Sequence, residues 1–123
     1  MDKTILLFVD DEPELLNIYT KFFTSKNYSV FTALTGSEGL EIARKEKPHV
    51  VLLDIRMPGM EGIETWKKIR SFDQKVKAIM ITGYGTAENI REVASLGVSD
   101  FVGKPFDLFD LWKTVKDCLE KDA

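Results

Sequence analysis

The chain has 123 residues, 44% hydrophobic and 30% charged, with 17 Lys and Arg against 20 Asp and Glu for a formal net charge of -3. That length buries roughly two-thirds of the unfolded surface in a single core and leaves no room for a second catalytic domain. The balance is that of an ordinary globular protein, and its mixed charges advertise no basic surface of the kind that binds nucleic acid or membranes.

The first predicted element is a strand over 4–9, TILLFV, followed by a helix over 13–26. Pro13 suits the first turn of that helix, and Leu15, Ile18, Tyr19, Phe22 and Phe23 mark its apolar face. A second strand, YSVFTA over 28–33, leads into a helix over 36–46 whose opening Thr35 and Glu38 stand at capping-box spacing, with a thin stripe of Leu40 and Ala43. The run HVVLLD carries a strand over 49–53, and Ile63, Trp66 and Ile69 mark a helix over 62–71. A strand over 76–82 lies in KVKAIMIT, and Ile90 and Val93 support a weaker helix over 86–96. The last strand spans 100–103 in DFVGK, and the last helix spans 107–121 with Leu108, Leu111, Trp112, Val115 and Leu119 as its stripe.

These strands are continuously apolar rather than alternating, as strands buried on both faces are. Strand and helix alternate five times through crossover-length connections, which defines an open, doubly wound α/β sheet. Cys118, the lone cysteine, cannot form an internal disulfide and is read as a small buried hydrophobe on a helical stripe. No apolar run approaches the roughly 18 residues of a membrane span, and no signal-peptide pattern opens the chain, so a cytoplasmic protein is expected.

In such sheets the working surface lies at the carboxyl ends of the strands. The first strand delivers Asp10 and Asp11 there, the third Asp54, the fourth Thr82, and the fifth Lys104 followed by Pro105. Two carboxylates about 4 Å apart repel by about 4 kcal/mol at the effective dielectric of a protein surface, so a positive partner is expected. Hard oxygen donors suit Mg²⁺ (or Mn²⁺), which takes one or two carboxylates, keeps waters and meets phosphate. Asp54 is placed as a carboxylate nucleophile that becomes an acyl phosphate, Lys104 as a positive charge for phosphoryl oxygens and Thr82 as a hydroxyl donor.

Four motifs now carry a resemblance over nearly the whole chain: VDDE after the first strand, LLDIRMPGMEG around Asp54, MITGYG at the fourth strand and FVGKPF at the fifth. Together, in this order, they resemble the receiver domain of two-component response regulators. The resemblance implies a flavodoxin-like sheet of order 2-1-3-4-5 with five helices, residues 1–123 forming one receiver domain. It makes Asp54 the phosphoacceptor, Asp10 and Asp11 the acidic pair for Mg²⁺, and the backbone carbonyl of Arg56 a further metal ligand. Thr82 falls on the switch hydroxyl, Phe101 on the aromatic switch position and Lys104 on the phosphoryl-contacting lysine, with a cis Lys104–Pro105 bond. The implied donor is a histidine of a sensor kinase or phosphotransfer protein. The implied output surface is the fourth helix, fifth strand and fifth helix, roughly 86–121. That surface would address an effector protein or an output domain of a longer regulator, or form a phosphorylation-dependent homodimer, without direct nucleic-acid or membrane binding.

Plainer roles exist for single residues. Asp10 and Asp11 could cap the first helix, Asp54 could end a strand in a turn, Lys104 could be a solvated loop lysine, and Phe101 could be core. Joint placement argues against most of these. Glu12 and Glu14, bracketing Pro13, are assigned to the helix dipole. Trp66 and Trp112 are read as packing, Met57 and Met60 as local loop packing, and His49 as a surface residue away from the site, while Tyr84 is either a residue of the site mouth, as the resemblance implies, or an exposed loop tyrosine without effect on it. A haloacid dehalogenase-type phosphatase would need DxDxT where this chain reads DDEPE, and a flavodoxin would need a phosphate loop where these carboxylates repel phosphate. A degenerate, unphosphorylated receiver would not need the full set of Asp10, Asp11, Asp54, Thr82 and Lys104.

Overall fold

Strands that are apolar on both sides of the pleat can be covered only by helices on both sides of a sheet, and that is how the chain folds. The computed structural model describes residues 3–54, 62–82, 95, 97–103 and 106–120, with the backbone alone of Thr82. In chain order the elements are β1 (Ile5–Val9), α1 (Pro13–Ser25), β2 (Ser29–Ala33), α2 (Gly36–Glu46), β3 (Val50–Asp54), α3 (Gly62–Phe72), β4 (Lys77–Thr82), β5 (Asp100–Gly103) and α4 (Leu108–Glu120). The helix expected over 86–96 falls almost wholly outside the described residues.

The five strands form one parallel sheet of order β2-β1-β3-β4-β5. The chain winds outward from β1 to β2, then crosses back over β1 to build β3, β4 and β5. The winding therefore reverses between β1 and β3, which opens a crevice beyond their carboxyl ends.

Period-two alternation sends Leu6, Phe8, Val50, Leu52, Ile79 and Ile81 to one face, where α1 and α4 cover them with Leu16, Tyr19, Phe23, Leu111, Val115 and Cys118. Leu7, Val9, Val51, Leu53, Ala78 and Met80 face the other way, under α2 and α3, with Ala43, Trp66 and Ile69. Trp66 is fully buried, and Cys118 is buried as its stripe implies. The Cys118 carbonyl also accepts a 2.7 Å hydrogen bond from Lys77 Nζ, tying α4 to the start of β4. Trp112 is half-buried, edge-on to Phe22, with Lys26 Nζ and Lys116 Nζ 4.6 and 4.0 Å from its ring centre.

Local chemistry sets the helix ends. Pro13, which has no N–H to leave unpaired, occupies the first turn of α1. Asn27 takes φ 73°, a conformation its side chain tolerates, to turn the chain into β2. At α2, Thr35 Oγ1 accepts the Glu38 N–H at 3.1 Å, while Glu38 Oε1 accepts the Leu34 N–H at 2.8 Å. This is the expected capping pair, with the glutamate reaching one residue further back than the N-cap itself. No helix among the described residues is long and apolar enough to cross a membrane.

Candidate functional site

The site follows from strand register. Val9 pairs with Ala33 on one side and Leu53 on the other, so the next residues, Asp10 and Asp54, stand level on neighbouring strands. Asp10 continues the ladder by donating its N–H to the Ala33 carbonyl at 3.1 Å. By parity, Asp10 follows Phe8 and Asp54 follows Leu52, the α1 side of the sheet.

Asp10 is 2% exposed and Asp54 6%, whereas Asp11 is exposed. The acidic pair read as equivalent in the sequence is thus split between an interior and a rim carboxylate. One oxygen from each of Asp10, Asp11 and Asp54 falls within 4.8 Å of the others. At that separation two ionised carboxylates repel by on the order of 3 kcal/mol at an effective dielectric of 20, a repulsion that a bound cation would relieve. Asp10 Oδ1 also accepts the Glu12 N–H at 2.9 Å, which holds the carboxylate in place at the start of α1. Glu12 occupies the N-cap position without a side-chain cap, and Glu14 places its charge in the first turn.

The donor set fits a small divalent cation. Oxygens around an octahedral Mg²⁺ with bonds near 2.1 Å stand about 3 to 4.2 Å apart, so side-chain adjustments of less than an ångström would close these three carboxylates around one. Asp10 and Asp54 would reach such a cation from the interior and Asp11 from the rim.

Of the other expected site residues, Thr82 ends β4 with its backbone level with Gly103, one step beyond the Asp54–Ile81 pair. Phe101 lies on the edge strand β5, half-buried, packed on the α2–α3 face, its N–H bonded to Asp100 Oδ1 at 2.8 Å. Arg56, Lys104 and Pro105 lie outside the described residues, as do Met57, Met60 and Tyr84. His49 is exposed at the amino end of the sheet, far from the carboxylates, yet its ring is engaged, with Nδ1 accepting the Ile5 N–H at 2.9 Å. A groove lined by Arg44, Lys47, His49, Phe72 and Lys75 lies at that same pole and carries none of the acidic cluster.

Sequence reasoning placed Tyr19 only on an apolar stripe. In the structure its ring is fully buried on the sheet face that leads to Asp10 and Asp54, stacked on Phe8 at 4.5 Å. Burial first, and then the charges of Asp10, Asp54 and Glu12, raise its hydroxyl well above the usual tyrosine range. The available signal was a hydroxyl-bearing ring on the core stripe of the helix that opens at the acidic cluster.

A five-stranded parallel sheet of this order, with two buried aspartates and a third at the switch crevice, defines an acidic site on a flavodoxin-like scaffold. The model of the response regulator receiver domain matches residues 6–116, and the chain belongs to that family. It is 36% identical over 114 residues to sporulation initiation phosphotransferase F of Bacillus subtilis, covering 93% of this chain and 92% of that protein. It is also 36% identical over 118 residues to the transcriptional regulatory protein GlrR of Escherichia coli, covering 96% of this chain but only 27% of that longer protein. Among solved structures, a CheY-like receiver domain protein from Methanospirillum hungatei superposes with a TM-score of 0.94 at 31% identity, covering 98% of this chain and 96% of that one. The CheX-CheY-BeF3-Mg complex from Borrelia burgdorferi superposes with a TM-score of 0.87 at 29% identity, covering 93% and 87%. The chain is accordingly a two-component signalling receiver domain.

Proposed function

We propose that Asp54 accepts a phosphoryl group from a phosphohistidine of a sensor kinase or phosphotransfer protein. The observation that carries this reading is the meeting of Asp10, Asp11 and Asp54 within 4.8 Å at the switch point of the sheet. An Asp54 oxygen attacks phosphorus, the N–P bond breaks, and its electron pair returns to the imidazole, which takes up a proton. The product is an acyl phosphate on Asp54. Hydrolysis reverses the modification: water attacks phosphorus, the P–O bond to Asp54 breaks, and inorganic phosphate leaves with the carboxylate restored. The chain supplies the reacting group and its surroundings for both steps, so it catalyses its own modification and its removal.

Asp10, Asp11 and Asp54, with the Arg56 carbonyl, would hold Mg²⁺ or Mn²⁺. When bound, the cation neutralises the carboxylates and draws charge from the phosphoryl oxygens. The buried position of Asp10, fixed by the Glu12 N–H, keeps that carboxylate oriented before any ligand arrives. Lys104 contributes a point positive charge to the phosphoryl group, with Pro105 following in a cis bond, and Thr82 contributes a hydroxyl. Phosphorylation shifts the population toward a conformation in which Thr82 moves to the phosphoryl group and Phe101 turns inward. Phe101 supports this reading in being half-buried on an edge strand, where a ring has room to move.

The whole of 1–123 acts as this one domain, in the cytoplasm. The surface over 86–121 addresses an effector, an output domain such as the longer relatives carry, or a second phosphorylated copy. Incubation with acetyl phosphate and Mg²⁺, followed by intact mass measurement, tests the reading. One phosphoryl group gained, and lost in Asp54→Asn, is expected. No gain by the wild type, or an equal gain by the variant, refutes it.

A further inference from the structure

Tyr19 carries a hydroxyl that the apolar core has no use for. Its ring lies between Phe8, at 4.5 Å and 20°, and Phe106, at 6.2 Å and 11°, so the phenol cannot swing out to water. Helical side chains lean toward the helix N-terminus, and α1 begins just after Asp10 and Asp11, which directs the phenol toward the end of the sheet that carries the carboxylates. It shares the sheet face on which Phe8 and Leu52 lead to Asp10 and Asp54. Tyr19 is 0% exposed, and its Oη makes no hydrogen bond among the described residues. Native structures rarely leave a buried donor in that state, and phenylalanine would fill the same space without it. The nearby carboxylates act with burial to keep the hydroxyl protonated, and therefore a donor.

We propose that Tyr19 is a positioning residue of the acidic site, whose hydroxyl donates its hydrogen bond to the Asp10–Asp54 carboxylates as they close around the cation and the phosphoryl group. The inference rests on the phosphoacceptor reading of Asp54. It assigns Tyr19 a role specific to the loaded state: it strengthens retention of the phosphoryl group without being needed to build the fold.

The test compares wild type with Tyr19→Phe. Each is titrated with beryllofluoride in Mg²⁺, with beryllium standing in for phosphorus and fluorine for the phosphoryl oxygens, and affinity is read from the rise in melting temperature. The half-life of the acyl phosphate is followed in parallel by intact mass. Without ligands, Tyr19→Phe is expected to melt at or above the wild type, because the unpaired donor is gone. Its beryllofluoride affinity is expected to fall about tenfold, the size of one hydrogen bond to a charged acceptor, and its acyl phosphate to be shorter-lived. Wild-type affinity and half-life in the variant would overturn the inference, as would a loss of unliganded stability with affinity unchanged. A wild type that takes up no beryllofluoride would bring down the phosphoacceptor reading, and this one with it.

Discussion

Gly39→Ala places a methyl group where α2 packs closely on β1. A Cβ built at Gly39 on α2 stands 2.8 Å from Val9 Cγ2, 3.4 Å from Cγ1 and 3.7 Å from the Ala33 Cβ. Rotating the valine offers little relief, because Val9 is buried and a β-branched side chain has few χ1 options. Helix and strand must therefore separate by about 1 Å, at the upper end of the roughly 1 to 3 kcal/mol that overpacking costs. Replacing glycine inside a helix returns about 1 kcal/mol. The net expectation is a loss of about 1 to 2 kcal/mol, or about 4 to 8 °C in melting temperature at a typical unfolding entropy for this length. Urea denaturation of Gly39→Ala in the wild-type and Val9→Ala backgrounds checks the mechanism. With the valine methyls removed, the new methyl has room, and the substitution should become neutral or stabilising. Equal effects in the two backgrounds, or a gain in the wild type, would refute the argument from close approach.

Thr35→Ala should cost about 1 kcal/mol in urea denaturation by freeing the Glu38 N–H, with phosphorylation of the folded protein unchanged. The raised Tyr19 hydroxyl makes stability fall at high pH, since the folded protein keeps a proton that the unfolded chain releases. The contribution is complete below about pH 10, the unfolded tyrosine value, and is lost above it at up to about 1.4 kcal/mol per pH unit. Urea midpoints between pH 9 and 11 should show that extra slope in wild type and not in Tyr19→Phe, and equal slopes would refute it. Mg²⁺ added to EDTA-treated protein should raise the wild-type melting temperature and leave the Asp10→Ala/Asp11→Ala double variant unmoved. The double variant should keep its far-ultraviolet circular dichroism and lose Mg²⁺-dependent phosphorylation.

The fold was legible because its strands break the alternation rule. ILLFV and VVLLD are apolar at every position but the last of the second, and only a sheet covered on both faces buries such runs. The order of strands was a matter of resemblance, since nothing in the five runs says that β1 is flanked by β2 and β3. The capping pair at Thr35 and Glu38 was legible in outline from its spacing. Its reach to Leu34 was not, because the choice between adjacent N–H groups depends on a side-chain rotamer. His49 was read as a surface residue, which it is, but its bond to the Ile5 N–H joins residues 44 apart and has no local signature.

The candidate site divides along the same line. Asp10 and Asp54 were legible because each follows directly on an apolar strand, and a carboxylate there has no exit except to the crevice beyond the sheet. What the sequence could not show is that parity would bury Asp10 and leave Asp11 at the rim, because that depends on which face α1 covers. The same choice of face puts Tyr19 on the side that leads to Asp10 and Asp54 rather than on the α2–α3 side. A stripe of Leu16, Tyr19 and Phe23 reads as uniformly apolar until one helix end is known to meet the acidic cluster. Once it does, the hydroxyl becomes the polar end of an otherwise oily contact. The helix whose N-terminus frames the acidic site then also connects that site to the core.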